Sequence, residues 1–202
     1  MNKGRLFILS GPSGSGKDTI LNEFLKDNKD IKLSMSTVSR PMRKDETQDS
    51  KYHHVSKEEF LNLLNKNEFL EYNEYLGNYY GTPKTPVLNA INNGIDMIVE
   101  IDVNGAGNIR KSFPDAISVF IVPPSLKTLK ERLIGRGTET EEQIEKRLNK
   151  AFDEISRANE FDYIICNDDL KKAVNDLNSI IKSNRLKYER QIELLERVQK
   201  TC

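Results

Sequence analysis

The sequence predicts an α/β fold built on a parallel sheet of about five strands with helices on both faces. Two observations support this fold class. Short apolar runs alternate along the chain with segments of helical periodicity, and the first run leads through a glycine-rich turn directly into a helical pattern. In such folds, ligands bind at the carboxyl ends of the strands. We therefore expect functional residues to follow the apolar runs.

Local patterns predict the individual strands and helices. The strand candidates are residues 5–10, a weak run near 33–36, and residues 95–99, 117–122 and 163–166. Helix starts are indicated by Ser56 with Glu59, by Ser125, and by Thr140 with Gln143. A last helical pattern covers residues 168–200. The stretch from residue 36 to about 93 interrupts the alternation, so we expect it to form a small inserted subdomain.

Residues 11–18, G-P-S-G-S-G-K-D, predict a phosphate-binding loop between a strand and a helix. The glycines permit close approach of the backbone, whose N–H groups enclose nucleotide phosphates at the helix N-terminus. Lys17 is expected to reach the β- and γ-phosphates. The predicted ATP-binding residues of this loop are Gly11, Pro12, Ser13, Gly14, Ser15, Gly16, Lys17, Asp18 and Thr19. The fold is accordingly expected to be a three-layer P-loop fold.

Asp18 departs from the usual pattern, in which a serine or threonine follows the lysine and ligates Mg²⁺. Here the hydroxyl comes one residue later, at Thr19. The aspartate is interpreted either as a magnesium ligand, direct or through water, or as an acidic residue that favours the helix N-terminus.

Composition restricts the function classes. The chain has 202 residues, and its 31 basic and 31 acidic residues balance, so the overall charge gives no argument for a nucleic-acid or membrane partner. We expect one core with appendages, and cytoplasm is the default location because no signal peptide or spanning segment is evident. The adjacent His53 and His54 are not expected to bind a metal, and Cys166 is expected to be a small core residue.

Two arginines of the inserted region form a second candidate site. Arg40 and Arg43 flank a proline in a non-helical loop, and two guanidinium groups can hold a dianionic monophosphate. Tyr52, Tyr79 and Tyr80 can add phenolic donors. On the residues alone, a solvated basic loop is an equally good interpretation.

Glu100 and Asp102 form an acidic pair at the end of a predicted strand. Being two residues apart, their side chains are expected on the same face, at the edge where phosphates bind. Asp102 could organise Mg²⁺ and its waters, whereas a simple solvent-exposed pair is the alternative.

Six motifs in order along the chain resemble the guanylate kinase family. The resemblance runs from the first strand to about Leu177, and several motifs in register are more specific than a phosphate-binding loop alone. The motifs are S-M-S-T-V-S-R-P-M-R (34–43), F-L-E-Y (69–72), G-N-Y-Y-G-T (77–82), E-I-D-V-N-G (100–105), G-R-G-T-E-T (135–140) and C-N-D-D-L (166–170).

The resemblance implies a domain organisation and a set of GMP ligands. The core would be about 1–35, 94–134 and 160–202, the GMP-binding subdomain about 36–93, and a helical lid about 135–159. Glu71 would accept from guanine N1–H and the 2-amine, which AMP does not offer. The residues implied to hold the GMP phosphate are Arg40, Arg43, Tyr52 and Tyr80, and those implied to surround the guanine are Ser36, Glu71, Thr82 and Glu100.

The resemblance also implies the residues of the lid and of the adenine site. The lid candidates are Arg132, Arg136 and Arg147. Arg136 and Arg147 would place positive charge over the transferring phosphoryl group, together with Lys17 and Arg40. The alternative for the lid arginines is i,i+4 pairing along a helix, for example of Gln143 with Arg147. Asn167 would contact adenine, with Arg132 beside it. The alternative is that Asn167 only forms a turn at the end of a strand.

The activity implied is ATP-dependent phosphorylation of GMP to GDP, with Mg²⁺ as cofactor and with dGMP as a further possible acceptor. The sequence leaves the oligomeric state undecided. One alternative is a scaffold module that uses the monophosphate pocket to bind phosphorylated peptides, but Lys17, Arg136 and Arg147 argue against it. Another is a kinase of a sugar phosphate, against which Glu71 and Ser36 argue.

Overall fold

A computed structural model describes residues 3–42, 51–75, 77–135 and 140–200. Arg43 and Arg136, both predicted site residues, lie outside the described residues.

The predicted α/β fold class is confirmed by a five-stranded parallel sheet with the order β2-β7-β1-β8-β9. Strand β1 pairs in parallel with β7, and β7 pairs in parallel with β2. Residues Leu6 to Leu9 are at most 3% exposed, as expected of a strand covered on both faces. The five strands are β1 (Leu6–Ser10), β2 (Ile31–Leu33), β7 (Asp96–Glu100), β8 (Ile117–Val122) and β9 (Tyr163–Cys166).

A second, four-stranded sheet has the order β4-β3-β6-β5 and lies within the predicted inserted region. Strands β5 and β6 form an antiparallel hairpin in which Gly77 has a φ of 74°, a conformation that glycine adopts without strain. The strands are β3 (Ser36–Val38), β4 (Tyr52–His54), β5 (Phe69–Tyr75) and β6 (Asn78–Pro83).

Three helices begin where local capping signals predict. Side chains of Ser56, Ser125 and Thr140 cap α2, α5 and α6, and Thr140 forms a reciprocal capping box with Gln143. The described helices are α1 (Lys17–Asp27), α2 (Lys57–Asn65), α3 (Lys84–Asn92), α4 (Val103–Ser112), α5 (Leu126–Ile134), α6 (Glu141–Ser156), α7 (Leu170–Arg185) and α8 (Tyr188–Gln199).

The chain divides into two compact units. The first comprises Met1–Lys3, Gly11–Lys29 and Phe120–Cys202, and its helices α5 and α6 pack through Leu129, Leu133, Ile144 and Ala151. The second comprises Gly4–Ser10 and Asp30–Val119. In this second unit Phe60 stacks on Phe69 and Tyr79, so α2 covers one side of the β5–β6 hairpin.

Two features at the C-terminal end differ from simple expectation. The helical pattern of residues 168–200 is two helices, α7 and α8, separated at Leu186 and Lys187. The prediction that Cys166 is a core residue is wrong, because its side chain is exposed. Strand β9 is at the edge of its sheet and only Ile165 of the strand is buried, so the alternation of side chains directs Cys166 away from the core.

In the parts of the chain that the structure describes, no helix has the combination of length and apolar composition needed to span a bilayer.

Candidate active site

The loop between β1 and α1 has the conformation of a phosphate-binding loop. Gly11 and Gly16 have φ angles of 141° and 92°, and a Cβ at either position would lie 2.2 Å from a neighbouring atom. Lys17 Nζ donates to the carbonyl oxygens of Gly11 at 2.6 Å and Pro12 at 3.1 Å. The lysine ammonium is therefore held against the loop that its sequence predicts will bind phosphates.

Asn167 and Arg132 support this loop from the same unit. Asn167 Nδ2 donates to the Ser15 carbonyl at 2.8 Å, and its side chain is only 7% exposed. Arg132 donates from Nη2 to the Asn167 carbonyl at 2.8 Å and from Nη1 to the Ser15 carbonyl at 3.3 Å. A Cβ on Gly16 would lie 2.2 Å from Asn167 Nδ2. The arrangement gives both residues a part in shaping the loop, while the adenine contact remains a prediction.

Asp18 and Thr19 lie in the first turn of α1, and both are exposed. Gly16, the residue immediately before the helix, is the N-cap, and it provides no side-chain hydrogen bond to the helix. The N–H groups of this turn thus point to the loop end of the helix, where anions are stabilised.

Five predicted GMP-binding residues share one face of the four-stranded sheet. The register pairs Ser36 with Tyr52, Val38 with Tyr80, and Glu71 with Thr82. Residues paired across strands, and residues two apart on a strand, project to the same side. Ser36, Tyr52, Glu71, Tyr80 and Thr82 therefore project to one side, although they come from four strands.

Glu71 is buried within this face, at 8% exposure, and its Oε1 accepts a 2.6 Å hydrogen bond from the Thr82 hydroxyl. Burial raises the pKa of the Glu71 carboxyl to about 7, helped by the nearby charge of Asp102 and opposed by the hydrogen bond from Thr82. A hydroxyl has one proton to give, so Thr82 here supports the carboxylate instead of offering its donor elsewhere.

Asp102 has both carboxylate oxygens engaged. Oδ1 accepts from the backbone N–H of Gly105 at 2.8 Å and so caps α4, and Oδ2 accepts from the side-chain amide of Asn73. Asn73 follows Glu71 by two residues on β5 and thus lies on the same face. Asp102 ties helix α4 to the strand that carries Glu71, which the sequence did not predict.

Glu100, predicted to be near the base, forms an ion pair with Lys51 at 2.6 Å. The side chains are 14% and 24% exposed, respectively, so this pair is more shielded from water than the i,i+4 pairs on the helix surfaces. Lys51 also lies 5.3 Å from the centre of the Tyr52 ring. Sequence reasoning missed Lys51, and the signal available was its position directly before Tyr52.

Arg40 is 8% exposed, and its guanidinium carbon lies 4.8 Å from the centre of the Tyr52 ring. Its Nη1 donates to the Pro41 carbonyl at 3.0 Å, and its own carbonyl lies 3.0 Å from His54 Nδ1. The structure therefore brings together Arg40 and Tyr52.

Arg147 lies on α6, three residues after the buried Ile144 and four before the buried Ala151. This spacing places it on the side of α6 that packs against α5, and its side chain is half-buried.

Comparisons with known proteins identify relatives of this chain. Residues 3–184 match the family model for guanylate kinase. The chain is 43% identical over 190 residues to the guanylate kinase of Clostridioides difficile and 44% identical over 190 residues to that of Carboxydothermus hydrogenoformans. Each match covers 94% of this chain and 93% of the relative.

A solved structure extends the similarity to the fold. The crystal structure of guanylate kinase from Anaplasma phagocytophilum aligns with a TM-score of 0.80 at 29% identity, covering 99% of this chain and 96% of the other. The match of the family model over most of the chain, together with relatives of this identity and coverage, places the chain in the guanylate kinase family.

Proposed function

We propose that this chain transfers the γ-phosphoryl group of ATP to GMP, giving ADP and GDP by in-line attack of a GMP phosphate oxygen. The observation that best supports the choice of acceptor is the buried Glu71 carboxylate, on one sheet face with four other polar residues of the predicted GMP site. Guanine presents N1–H and the 2-amine side by side, and a carboxylate can accept from both. With AMP the buried carboxylate would keep the Thr82 hydroxyl as a donor but would receive no donor from the base, which is costly.

ATP is bound in this proposal by the loop from Gly11 to Thr19, with Lys17 directed to the β- and γ-phosphates. Asn167 and Arg132 hold the Ser15 carbonyl and thereby the loop. Arg136 and Arg147, in the lid of about 135–159, neutralise charge on the transferring group. Phosphoryl transfer depends mainly on such positioning and charge neutralisation.

GMP is bound in this proposal by the subdomain of about 36–93. Arg40, Arg43, Tyr52 and Tyr80 hold the phosphate, and Ser36, Glu71 and Thr82 surround the base, with Thr82 acting through Glu71. Glu100 also lies beside the base in this proposal, and Lys51 balances its charge. We place the reaction in the cytoplasm, where its nucleotide substrates occur.

Mg²⁺ fits the oxygen donors at the start of α1. Kinase sites hold Mg²⁺ with one or two carboxylates together with substrate phosphates, and Asp18 with Thr19 supplies a carboxylate and a hydroxyl in an exposed first turn. Asp102 fits less well as a direct ligand, since Gly105 and Asn73 already donate to its oxygens. When bound, Mg²⁺ supplies neutralisation of the β- and γ-phosphate charge.

The test of the function is ADP formation from ATP and Mg²⁺ with each of GMP, AMP, CMP and UMP, against a reaction without acceptor. We expect turnover with GMP alone. Turnover with none of the four, in a folded protein that still binds GMP, would favour a binding module of the same fold over an enzyme.

The raised pKa of Glu71 predicts that GMP is bound more tightly as the pH rises from about 6 to 8. A protonated carboxyl cannot accept from two guanine donors, so the KM for GMP should fall as Glu71 ionises through its pKa of about 7. The GMP phosphate also titrates near pH 6. The wild-type protein is therefore compared with Glu71→Gln, in which the KM for GMP should lose the part of its pH dependence that comes from Glu71. An identical pH dependence of this KM in the two proteins would contradict the prediction.

The same shift has a consequence for stability. The folded protein holds the Glu71 proton more tightly than the unfolded chain, whose carboxyl titrates at the ordinary value of 4.5. The contribution of this group to stability is fully present below pH 4.5 and is lost as the pH rises through about 7.

Removing the Asn167 side chain should weaken ATP binding selectively. In Asn167→Ala the Ser15 carbonyl loses a buried hydrogen-bond donor. Such a hydrogen bond is worth about 1 kcal/mol, so we expect the KM for ATP to rise about fivefold. The KM for GMP should not change. Asn175→Ala, on the exposed side of α7, is the matched control. Steady-state kinetics with each substrate varied would decide, and an equal rise in both KM values would argue against a role in the loop.

A further inference from the structure

We infer that Gly105 determines the guanine specificity of this chain, because the absence of a side chain there leaves the space that the Glu71 carboxylate occupies. An ideal Cβ built on Gly105 would lie 2.6 Å from Glu71 Oε2 and 3.2 Å from Glu71 Cδ. The first distance is well inside the contact distance of a carbon and an oxygen atom. The inference rests on the proposed contact between Glu71 and the base.

The helix that carries Gly105 is fixed in place. The N–H of Gly105 donates to Asp102 Oδ1 at 2.8 Å, and Asp102 Oδ2 accepts from Asn73 on the strand of Glu71. On either side of Gly105, α4 is anchored by side chains that are at most 3% exposed, namely Val103, Ala106 and Ile109. The first turn of α4 cannot easily move away from β5 to accommodate a methyl group.

The Glu71 side chain is the part that can move. Its carboxylate is the end of a flexible chain, fixed by the 2.6 Å hydrogen bond from Thr82 to Oε1 and by the wall that Gly105 forms beside Oε2. A methyl group on residue 105 would therefore rotate the carboxylate away from its present position. Two adjacent guanine donors require both the position and the orientation of the carboxylate.

A methyl group on residue 105 should affect specificity and stability differently. Alanine favours a helix interior more than glycine does. Gly105 is not one of the described glycines with a positive φ, so its backbone conformation is open to alanine. Gly105→Ala should consequently fold with an unchanged or raised Tm, while its recognition of guanine is impaired. The same chain offers a matched control, Gly107→Ala, in the same helix, where an added Cβ would have no heavy atom within 4 Å.

The experiment compares the wild-type protein, Gly105→Ala, Gly107→Ala and Glu71→Ala. For each, the KM and kcat for GMP, the KM for ATP and the Tm are measured, with inosine monophosphate as a probe because it lacks the 2-amine. For Gly105→Ala we expect the KM for GMP to rise about tenfold or more, and the preference for GMP over inosine monophosphate to fall by a similar factor. The KM for ATP should not change, and Gly107→Ala should behave as wild type.

The outcomes are distinguishable. A Gly105→Ala protein with normal GMP kinetics and normal preference, beside an impaired Glu71→Ala protein, would overturn the role of Gly105 and leave the proposed function standing. Normal kinetics in Glu71→Ala would instead overturn the proposed base contact, and the inference with it. A Gly105→Ala protein that does not fold would show that the helix yields before the carboxylate, which also contradicts the inference; circular dichroism and direct titration with GMP detect this case.

Discussion

Lys17→Ala is expected to lower kcat by about 10³-fold or more while leaving GMP binding intact. The Lys17 ammonium lies over the loop and donates to the carbonyls of Gly11 and Pro12, so its removal takes the positive charge from the place where the β- and γ-phosphates are expected. Loss of one preorganised group that stabilises transition-state charge costs about 10²–10³-fold, and this lysine also positions ATP.

The measurement is single-turnover transfer to GMP at saturating ATP, with GMP binding followed separately by calorimetry. Lys26→Ala is the matched control, because Lys26 is on the same helix and forms only an exposed ion pair with Glu23. Near-normal transfer by Lys17→Ala would exclude the proposed role of the phosphate-binding loop.

Glu71→Ala is expected to reduce the preference for GMP over AMP, measured as the ratio of kcat/KM values, by about 10²-fold or more. Sites built to hydrogen-bond a substrate group reject the analogue that lacks it by about 10⁴-fold or more, and in the proposed site the buried carboxylate is the group that pairs with the base. Binding through the phosphate should persist, because Tyr52 lies on another strand, β4, and Arg40 lies in the loop that follows β3. Glu71→Gln should be impaired as well, since its amide presents a donor to the guanine donors.

Glu74→Ala on the same strand is the control for this prediction. Glu74 is three residues from Glu71 and exposed, so it projects from the opposite face of β5. A kinetic preference for GMP that survives in Glu71→Ala, in a protein with wild-type Tm, would show that guanine is recognised elsewhere.

Local sequence signals were sufficient to predict much of the fold. Capping residues such as Ser125 and Thr140 act on N–H groups three residues away, so their effect is encoded in a short segment. The glycine loop is equally local. The strand runs were found because a parallel sheet buried on both faces requires continuous apolar residues.

Other features depend on contacts that local sequence does not encode. The bond from Asn73 to Asp102 joins residues 29 apart, and the ion pair of Lys51 and Glu100 joins residues 49 apart. Both require the register of strands to be known first. The wrong prediction for Cys166 has a similar origin, because burial at the edge of a sheet depends on whether another element covers it, and β9 is at that edge.

In the proposed GMP site, strand alignment is itself a determinant of substrate choice, because the site is a single face shared by Ser36, Tyr52, Glu71, Tyr80 and Thr82. The pairing of Glu71 with Thr82 is set within a hairpin that has an irregularity between Phe69 and Glu71. A slip of one residue in a strand sends all its side chains to the other face. Inserting or deleting one residue in β5, with every proposed GMP-binding residue kept, would therefore abolish base recognition. An insertion in this hairpin is thus expected to damage specificity as much as the loss of Glu71 itself.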